Sequence, residues 1–262
     1  MMGAFAALAY NGFREARRNR VSVVVAVFTL GLLLASSLVT EVTVYTFKRV
    51  LTDVGLGAMT LTLVLLAVFL SSGLISREIE RRTIFLIVSK PVSRSLFLVA
   101  RLTGNMLTLL ALLLAMAAVF FFQVGVYGGL SAYALKVSMP QGVAVGMLWV
   151  ELLVISSVGF LMSSFSSQVV SAVVTTGVYL AGHLSGDIYS LASRSESVPL
   201  QYLGKTIYYL LPNLARLNYR PQASYDVATP AGDILWDIVY GFGYSGILVA
   251  LAVLIFMRRD FK

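Results

Sequence analysis

The sequence SREIERRTIFLIVSKPVSR, Ser76 to Arg94, places much of the chain's scarce charge around a short apolar run. The chain of 262 residues is 58% apolar and only 12% charged, whereas soluble globular domains average about 25% charged residues. The apolar run Ile84–Val88 is too short to span a bilayer and too apolar to be left in water. The segment is therefore expected to lie at a membrane surface, between long apolar segments.

Those apolar segments make up most of the rest of the chain. A helix needs roughly 20 apolar residues to cross about 30 Å of hydrocarbon. The segments of this length predict an all-α membrane protein with six transmembrane helices, at residues 21–42, 56–76, 95–122, 141–163, 168–186 and 233–257. The first also has the basic start and small-residue end of a signal peptide, but its apolar stretch continues past Ser37, so we interpret it as a span.

The distribution of basic residues predicts the orientation of the spans. Thirteen Lys and Arg residues lie in the N-terminus, in the C-terminus and between residues 77 and 101, around the start of the third span, and seven lie in the other connections. The more basic side faces the cytoplasm, so both termini and the Ser76–Arg94 segment are expected there. The formal net charge of +8 then indicates attraction to anionic lipid. Nucleic acid is not expected as a partner, because the basic residues flank spans and are not interleaved with aromatic residues.

Residue counts exclude several kinds of site. The chain has no cysteine and one histidine, His183, which excludes disulfides, thiolate metal sites and a histidine cluster for a metal. GKT at Gly204–Thr206 matches the end of a phosphate-binding loop, but the required glycine five positions earlier is Pro199. We expect no catalytic residue, no metal and no bound ATP or other cofactor in this chain.

Residues 1–20 predict an amphipathic helix in the membrane interface. The apolar positions follow helical spacing, at Phe5, Leu8, Ala9, Phe13 and Ala16. The basic end adjoins the first span, where arginine side chains reach lipid head groups. A solvated, disordered start is the alternative.

The segment after the second span, residues 77–92, predicts a short cytoplasmic helix. Glu78 lies three and four residues before Arg81 and Arg82, a spacing that allows ion pairs on a helix. The apolar run that follows ends before Pro91, which fits only the first turn of a new helix. An apolar patch rimmed by charge is typical of a binding surface, so we expect a partner protein here.

The same residues resemble a known family. REIERRTIFLIVSKPVSR is similar to the segment after the second span in permease subunits of ABC transporters of the ABC-2 family, and the resemblance covers most of the chain. In that family the segment is the coupling helix, which docks on the ATPase subunit. The resemblance assigns this role to Glu78, Glu80, Arg81, Arg82, Thr83, Phe85, Lys90, Pro91, Ser93 and Arg94. Arg82 departs from the pattern, since many relatives have glycine before the threonine.

The resemblance also implies partners and a location. ATP and Mg²⁺ would be bound by a separate ATPase subunit, and two copies of this chain, or one copy with a related permease, would form the pathway between them. Relatives with this topology are mostly exporters, in the cytoplasmic (inner) membrane of prokaryotes, surrounded by membrane lipids. The transported substrate does not follow from the sequence.

The connection at 187–232 has 46 residues, too many for a plain connector. Apolar residues at helical spacing predict short external helices, with tyrosines at the level of the aromatic belt. YYLLPNLARLN resembles the external hairpin of the same family, which dips into the outer leaflet. The residues assigned to it are Tyr208, Tyr209, Pro212 and Asn213. An ordinary interfacial helix is the alternative.

Glu151 is the acidic residue of the fourth span, where a carboxylate costs on the order of 2.5–3.5 kcal/mol and tends to mark function. We expect it to face the transport pathway or the seam between two permease copies. A proton-coupled secondary transporter could instead use it as a relay, together with His183. The sequence shows no broken helices or inverted repeat of the kind that such carriers use. We therefore favour the ABC permease over this carrier and over a non-transporting scaffold.

Overall fold

The computed structural model describes residues 47–75, 94–128, 138–195 and 197–258, together with residues 10, 23, 27–32, 34 and 35. Within these residues the chain is helical and has no β-strand, so the predicted all-α class is confirmed. The α-helices are α1 (Phe47–Ser72), α2 (Arg94–Gly128), α3 (Met139–Ser163), α4 (Gln168–His183), α5 (Ser185–Ser193), α6 (Val198–Leu210), α7 (Arg220–Ser224) and α8 (Ala231–Met257). A 3-10 helix at Leu214–Leu217 lies between α6 and α7.

Among the described helices, four are long and apolar enough to cross a membrane, namely α1, α2, α3 and α8. A fifth candidate is formed by α4 and α5 together, which meet at a bend of 59°. The predicted first span is described only at residues 23, 27–32, 34 and 35, which are helical. The six-span layout therefore stays a prediction. The predicted amphipathic helix, except Tyr10, and the predicted cytoplasmic helix lie outside the described residues.

The helix that carries the second predicted span, 56–76, is α1, which begins at Phe47, nine residues before that span, and ends at Ser72. The added turns carry Lys48, Arg49 and Asp53. All three side chains contact residues at and after the end of α7. Polar tertiary contacts thus prolong the helix, and a hydropathy window does not detect such contacts.

The fifth predicted span, 168–186, is interrupted at Leu184, where the chain bends between α4 and α5. The Ser185 hydroxyl donates to the Gly182 carbonyl oxygen at 2.9 Å, and such local bonds compete with the regular helical pattern. A Cβ atom on Gly182 would lie 2.7 Å from the Pro212 carbonyl oxygen, so another part of the chain crosses close to the bend. The helix of the predicted fifth span is thus broken at Leu184, which hydropathy alone does not show.

The central helix of the described bundle is α3. It contacts α1, α2, α4, α7 and α8, and 78% of its most apolar window is buried, against 17% for α8. The core around it is aliphatic and aromatic, and includes Met59, Leu109, Phe120, Leu148 and Leu152. By contrast, α8 exposes most of its apolar surface, which requires lipid or another protein around it.

A glycine allows α1 and α3 to approach closely. A Cβ atom on Gly159 would lie 2.1 Å from the Ser71 Oγ atom and 3.0 Å from the Ser71 Cβ atom. Small residues let helix backbones meet in a membrane, where lipid removes the hydrophobic driving force between helices. Gly146, on the same helix, has no atom within 4 Å of the corresponding position.

We predict that Gly159→Val lowers the thermal unfolding temperature of the purified chain in detergent, because the new side chain overlaps Ser71 and overpacking costs about 1–3 kcal/mol. Gly146→Val is the matched control, since it adds the same side chain to α3 without a neighbour to overlap. Equal unfolding temperatures for the two variants would contradict the close contact between α1 and α3.

Candidate functional site

Polar and charged side chains gather at the end of the bundle where α1, α3 and α8 begin. Residues 185–226, with α5, α6, the 3-10 helix and α7, cover this end, and we call them the cap. Within the cap, α5 and α6 pack mainly on each other and leave apolar side chains such as Leu203 and Tyr209 exposed. The 3-10 helix packs on α3, α4 and α8, and α7 packs on α1 and α3. The cap is thus joined to the bundle mainly through its second half.

Glu151 lies near the middle of α3 and points into the bundle, with 2% of its surface exposed. Its Oε1 atom is 3.4 Å from the Nε2 atom of His183, the last residue of α4. In the single chain the carboxylate therefore faces a neighbouring helix and not an exposed surface. Its predicted position on a pathway or permease seam stays a prediction for the assembled transporter.

The position of His183 is fixed by the residue one turn earlier in α4. The Nδ1 atom of His183 is 3.2 Å from the Tyr179 carbonyl oxygen. The two rings are tilted by 57° to each other, with their centroids 4.7 Å apart. Residues four apart lie on one face of a helix, so this spacing places the imidazole on the side of α4 that meets α3.

Arg220, the first residue of α7, brings a positive charge to the same region. Its Nε atom donates to the Asn218 Oδ1 atom at 2.9 Å. Its Nη1 atom lies 3.9 Å from where a Cβ atom on Gly57 of α1 would be. Its charge acts on both Glu151 and His183. Three elements, α3, α4 and α7, thus contribute a charged or titratable group to one buried region.

A second cluster surrounds Asp237, near the start of α8. The Asp237 Oδ1 atom accepts a hydrogen bond from Arg216 Nε at 2.7 Å, and its Oδ2 atom accepts one from the Tyr219 hydroxyl at 2.8 Å. Burial and the hydrogen bond to Asp237 raise the pKa of Tyr219, so its hydroxyl remains a donor at physiological pH. Both oxygens of a carboxylate that is 8% exposed are therefore satisfied.

Backbone groups next to this cluster attach the cap to α8. The Asn213 N–H donates to the Tyr240 hydroxyl oxygen at 2.8 Å, and the Tyr244 hydroxyl donates to the Leu210 carbonyl oxygen at 2.8 Å. Tyr240 and Tyr244 are one helical turn apart, so a single face of α8 binds the chain on both sides of Pro212.

The other residues of the predicted external hairpin have different environments. Pro212 is buried, with its carbonyl oxygen close to Gly182. The Tyr208 ring lies 4.9 Å from the Tyr189 ring of α5, measured between centroids, whereas Tyr209 is 76% exposed. The insertion of this segment into the outer leaflet stays a prediction.

A further attachment joins the cap to the start of α1. The Lys48 Nζ atom is 3.2 Å from the Asp226 Oδ2 atom. The Arg49 guanidinium lies 3.7 Å from the ring centre of Tyr225 and also bonds its hydroxyl. Lys48 and Asp226 are each about half exposed, and exposed ion pairs are worth about 0.2–1 kcal/mol. These contacts are weaker than the buried ones on α3 and α8.

The residues predicted to contact an ATPase fall outside the described part of the chain, apart from Arg94, the first residue of α2. They are Glu78, Glu80, Arg81, Arg82, Thr83, Phe85, Lys90, Pro91 and Ser93. The helices that flank them, α1 and α2, pack on each other. Their role in coupling stays a prediction.

The GKT sequence lies inside a helix and not in a loop. Gly204 of α6 packs against Ala192 of α5, and the Thr206 hydroxyl donates to the Tyr202 carbonyl oxygen at 2.8 Å. A phosphate-binding loop needs free backbone N–H groups, which a helix interior uses for its own hydrogen bonds. Among the described residues, no group of three His, Cys, Asp or Glu side chains could hold a metal ion.

Sequence reasoning missed the roles of Arg216, Tyr219 and Arg220. The two arginines contributed only to a count of external basic residues. One signal could have found the cluster at α8: Asp237 is a carboxylate at the start of an apolar span, and such a group needs a partner. Which residue of a 46-residue connection supplies that partner depends on how the connection folds.

Comparison with known protein families matches residues 6–261 to the family described as ABC-2 family transporter protein. Comparison with the curated proteins finds no match for the chain.

We predict that Asp237→Asn lowers the thermal unfolding temperature of the chain in detergent at neutral pH. Arg216 then loses its ionised acceptor; hydrogen bonds to charged groups are worth about 1.5–3 kcal/mol, and the loss should lie at the lower end because Arg216 is half exposed. Asp233→Asn, an exposed position one turn earlier in α8, is the control. A decrease no larger than that of the control would mean that the cluster does not hold the cap.

Proposed function

Because the chain belongs to the ABC-2 transporter family, we propose that it is the permease subunit of an ATP-driven exporter in the cytoplasmic membrane of a prokaryote. The family match over residues 6–261 carries this proposal, since it includes the charged segment and every described helix. Two copies, or this chain with a related permease, form the translocation pathway. A separate subunit binds ATP and Mg²⁺.

The segment 77–92 is proposed as the coupling helix. It connects α1 to α2, and both helices pack beside α3. A force on this segment reaches α1, which ends at Ser72. The first turns of α1 carry the Lys48 and Arg49 contacts to the cap. In this proposal α1 therefore joins the ATPase contact at one end to the cap at the other.

The free energy that the ATPase subunits must supply to shift the permease between two states is moderate. Moving a two-state equilibrium from 1:99 to 99:1 takes about 5.5 kcal/mol of differential binding. Two ATPase subunits that close on bound nucleotide can supply this difference if they grip the coupling helix in one state more tightly than in the other. The permease needs no nucleotide site of its own.

The surface of α8 is available for assembly in the membrane. Its exposed apolar side chains include Trp236, Phe242 and Ile247. A surface of this kind suits lipid or a second permease copy. The family match gives no support to a secondary carrier or a scaffold, so the Glu151–His183 contact is interpreted within the permease.

The absence of cysteine makes the proposed topology directly testable. We predict that Ser89→Cys reacts with a membrane-impermeant maleimide only from the cytoplasmic side, and that Ser193→Cys, exposed on α5, reacts only from the external side. Each variant is treated with the maleimide in right-side-out and in inverted membrane vesicles, and the mass added to the chain is measured. Labelling of Ser89→Cys from outside would remove the basis for a coupling helix.

We predict that Glu78→Lys combined with Glu80→Lys weakens binding of the ATPase subunit at least about tenfold and lowers ATP hydrolysis by the complex in lipid vesicles. In this proposal the two glutamates face basic groups of the ATPase subunit, and like charges placed at an interface cost several kcal/mol. The unfolding temperature should stay near the wild-type value. Asp187→Lys, an exposed position in the cap, is the control. Unchanged ATPase binding by the double variant would rule out the assigned contact.

A further inference from the structure

We infer that Glu151 and His183 form a proton-binding site that fastens the bend at Leu184 to the central helix α3. The two side chains come from different helices and are both largely buried, with 3% and 19% of the side chain exposed. His183 is the last residue of α4, directly before the 59° bend. The contact therefore sits at the junction between the bundle and the cap.

The hydrogen bond on one side of the imidazole fixes the role of the other side. The His183 Nδ1 atom is 3.2 Å from the Tyr179 carbonyl oxygen. A carbonyl oxygen can only accept, so Nδ1 carries a hydrogen. In a neutral ring, Nε2 is then an acceptor with a lone pair. This lone pair is what His183 presents to α3.

The group facing that lone pair is also an acceptor when it is ionised. Glu151 Oε1 lies 3.4 Å from His183 Nε2, and a carboxylate has acceptor sites only. Two buried acceptors that face each other repel and leave both groups unpaired, which is costly inside a protein. One proton on either atom converts the contact into a hydrogen bond, as a protonated histidine against a carboxylate or as a carboxylic acid against a neutral histidine.

The surroundings contain two further groups that act on this pair. Arg220 of α7 places a positive charge near both Glu151 and His183, and the Tyr179 hydroxyl of α4 interacts electrostatically with Glu151. Arg220 stabilises the carboxylate, and it disfavours a second positive charge on the imidazole. These opposing effects are typical of a pair that shares one proton and does not bind two.

Loss of the shared proton would loosen the bend. Gly182, next to His183, is in tight contact with the Pro212 carbonyl oxygen and the Leu214 side chain. A separation of α4 from α3 at this level would therefore also release the turn that precedes the 3-10 helix. The proton site does not depend on the transport assignment; only its effect on a transport cycle does.

The test uses the purified full-length chain in detergent, without an ATPase. Thermal unfolding is measured between pH 6 and pH 9 for the wild type, Glu151→Gln, His183→Gln and the double variant, with Asp187→Asn as control. The folded pair keeps a proton that an unfolded histidine, with a pKa of about 6.5, releases. Wild-type stability should therefore fall as pH rises above about 7, by roughly 3 °C for each pH unit.

Both single variants should lose this pH dependence, the double variant should add little to either, and the control should retain it. Wild-type pH dependence in both single variants would overturn the site. Because His183 is the only histidine, selective ¹⁵N-histidine labelling gives a second readout by NMR of the wild type and Glu151→Gln alone. A neutral ring with its hydrogen on Nε2 over this pH range, or a titration unchanged by Glu151→Gln, would also overturn it. Since no ATPase is present, either failure leaves the coupling proposal untouched.

Discussion

Charge inside an apolar bundle has to be matched by groups of the protein, because hydrocarbon offers no hydrogen bonds. The Asp237 carboxylate of α8 meets this requirement through Arg216 and Tyr219. Glu151 of α3 lies beside His183 and within reach of the charge of Arg220. Three of these partners belong to the cap, so the cap supplies the charges and hydrogen bonds that the membrane helices lack.

This requirement also explains how the cap is held. Its second half packs around α3, the most buried of the long apolar helices described, and is bonded to one face of α8 through two tyrosine hydroxyls. Its first half, α5 and α6, makes few contacts with the bundle and keeps its apolar residues exposed. The cap is therefore fixed to the bundle on one side and free on the other. The family to which the chain belongs gives that arrangement a transport context.

The sequence predicted the features that depend on composition. The apolar stretches 95–122, 141–163 and 233–257 lie within α2, α3 and α8, and the spacing of apolar residues indicated helices in the long connection. The sequence did not predict the features that depend on contacts between different elements. The early start of α1 depends on partners more than 170 positions away, such as Asp226 for Lys48. The bend at Leu184 depends on a local serine hydroxyl and on the passage of Pro212, which no hydropathy average detects.

The candidate site likewise combines residues that the sequence identified with contacts that it did not predict. Glu151 and His183 were both identifiable, one as a buried acid and the other as the only histidine, but their contact required the relative placement of α3 and α4. Arg220 could not be identified as a site residue from the sequence, because the residues around it do not distinguish it from the other arginines of the connection. The coupling role of the residues in the charged segment was assigned by resemblance to the family, and their spacing and charge alone would not have assigned it.

The unequal strength of the cap's attachments has a mechanical consequence. With 26 residues, α1 is about 39 Å long. Its last turn is held tightly against α3, where Ser71 meets Gly159, whereas the charges of its first turns that touch the cap are half exposed. A stiff helix that is held near one end rotates about that end. A small rotation at that end moves the first turns of α1 the farthest, so the exposed bonds of Lys48 and Arg49 to the cap would break before the packing of the interior changes.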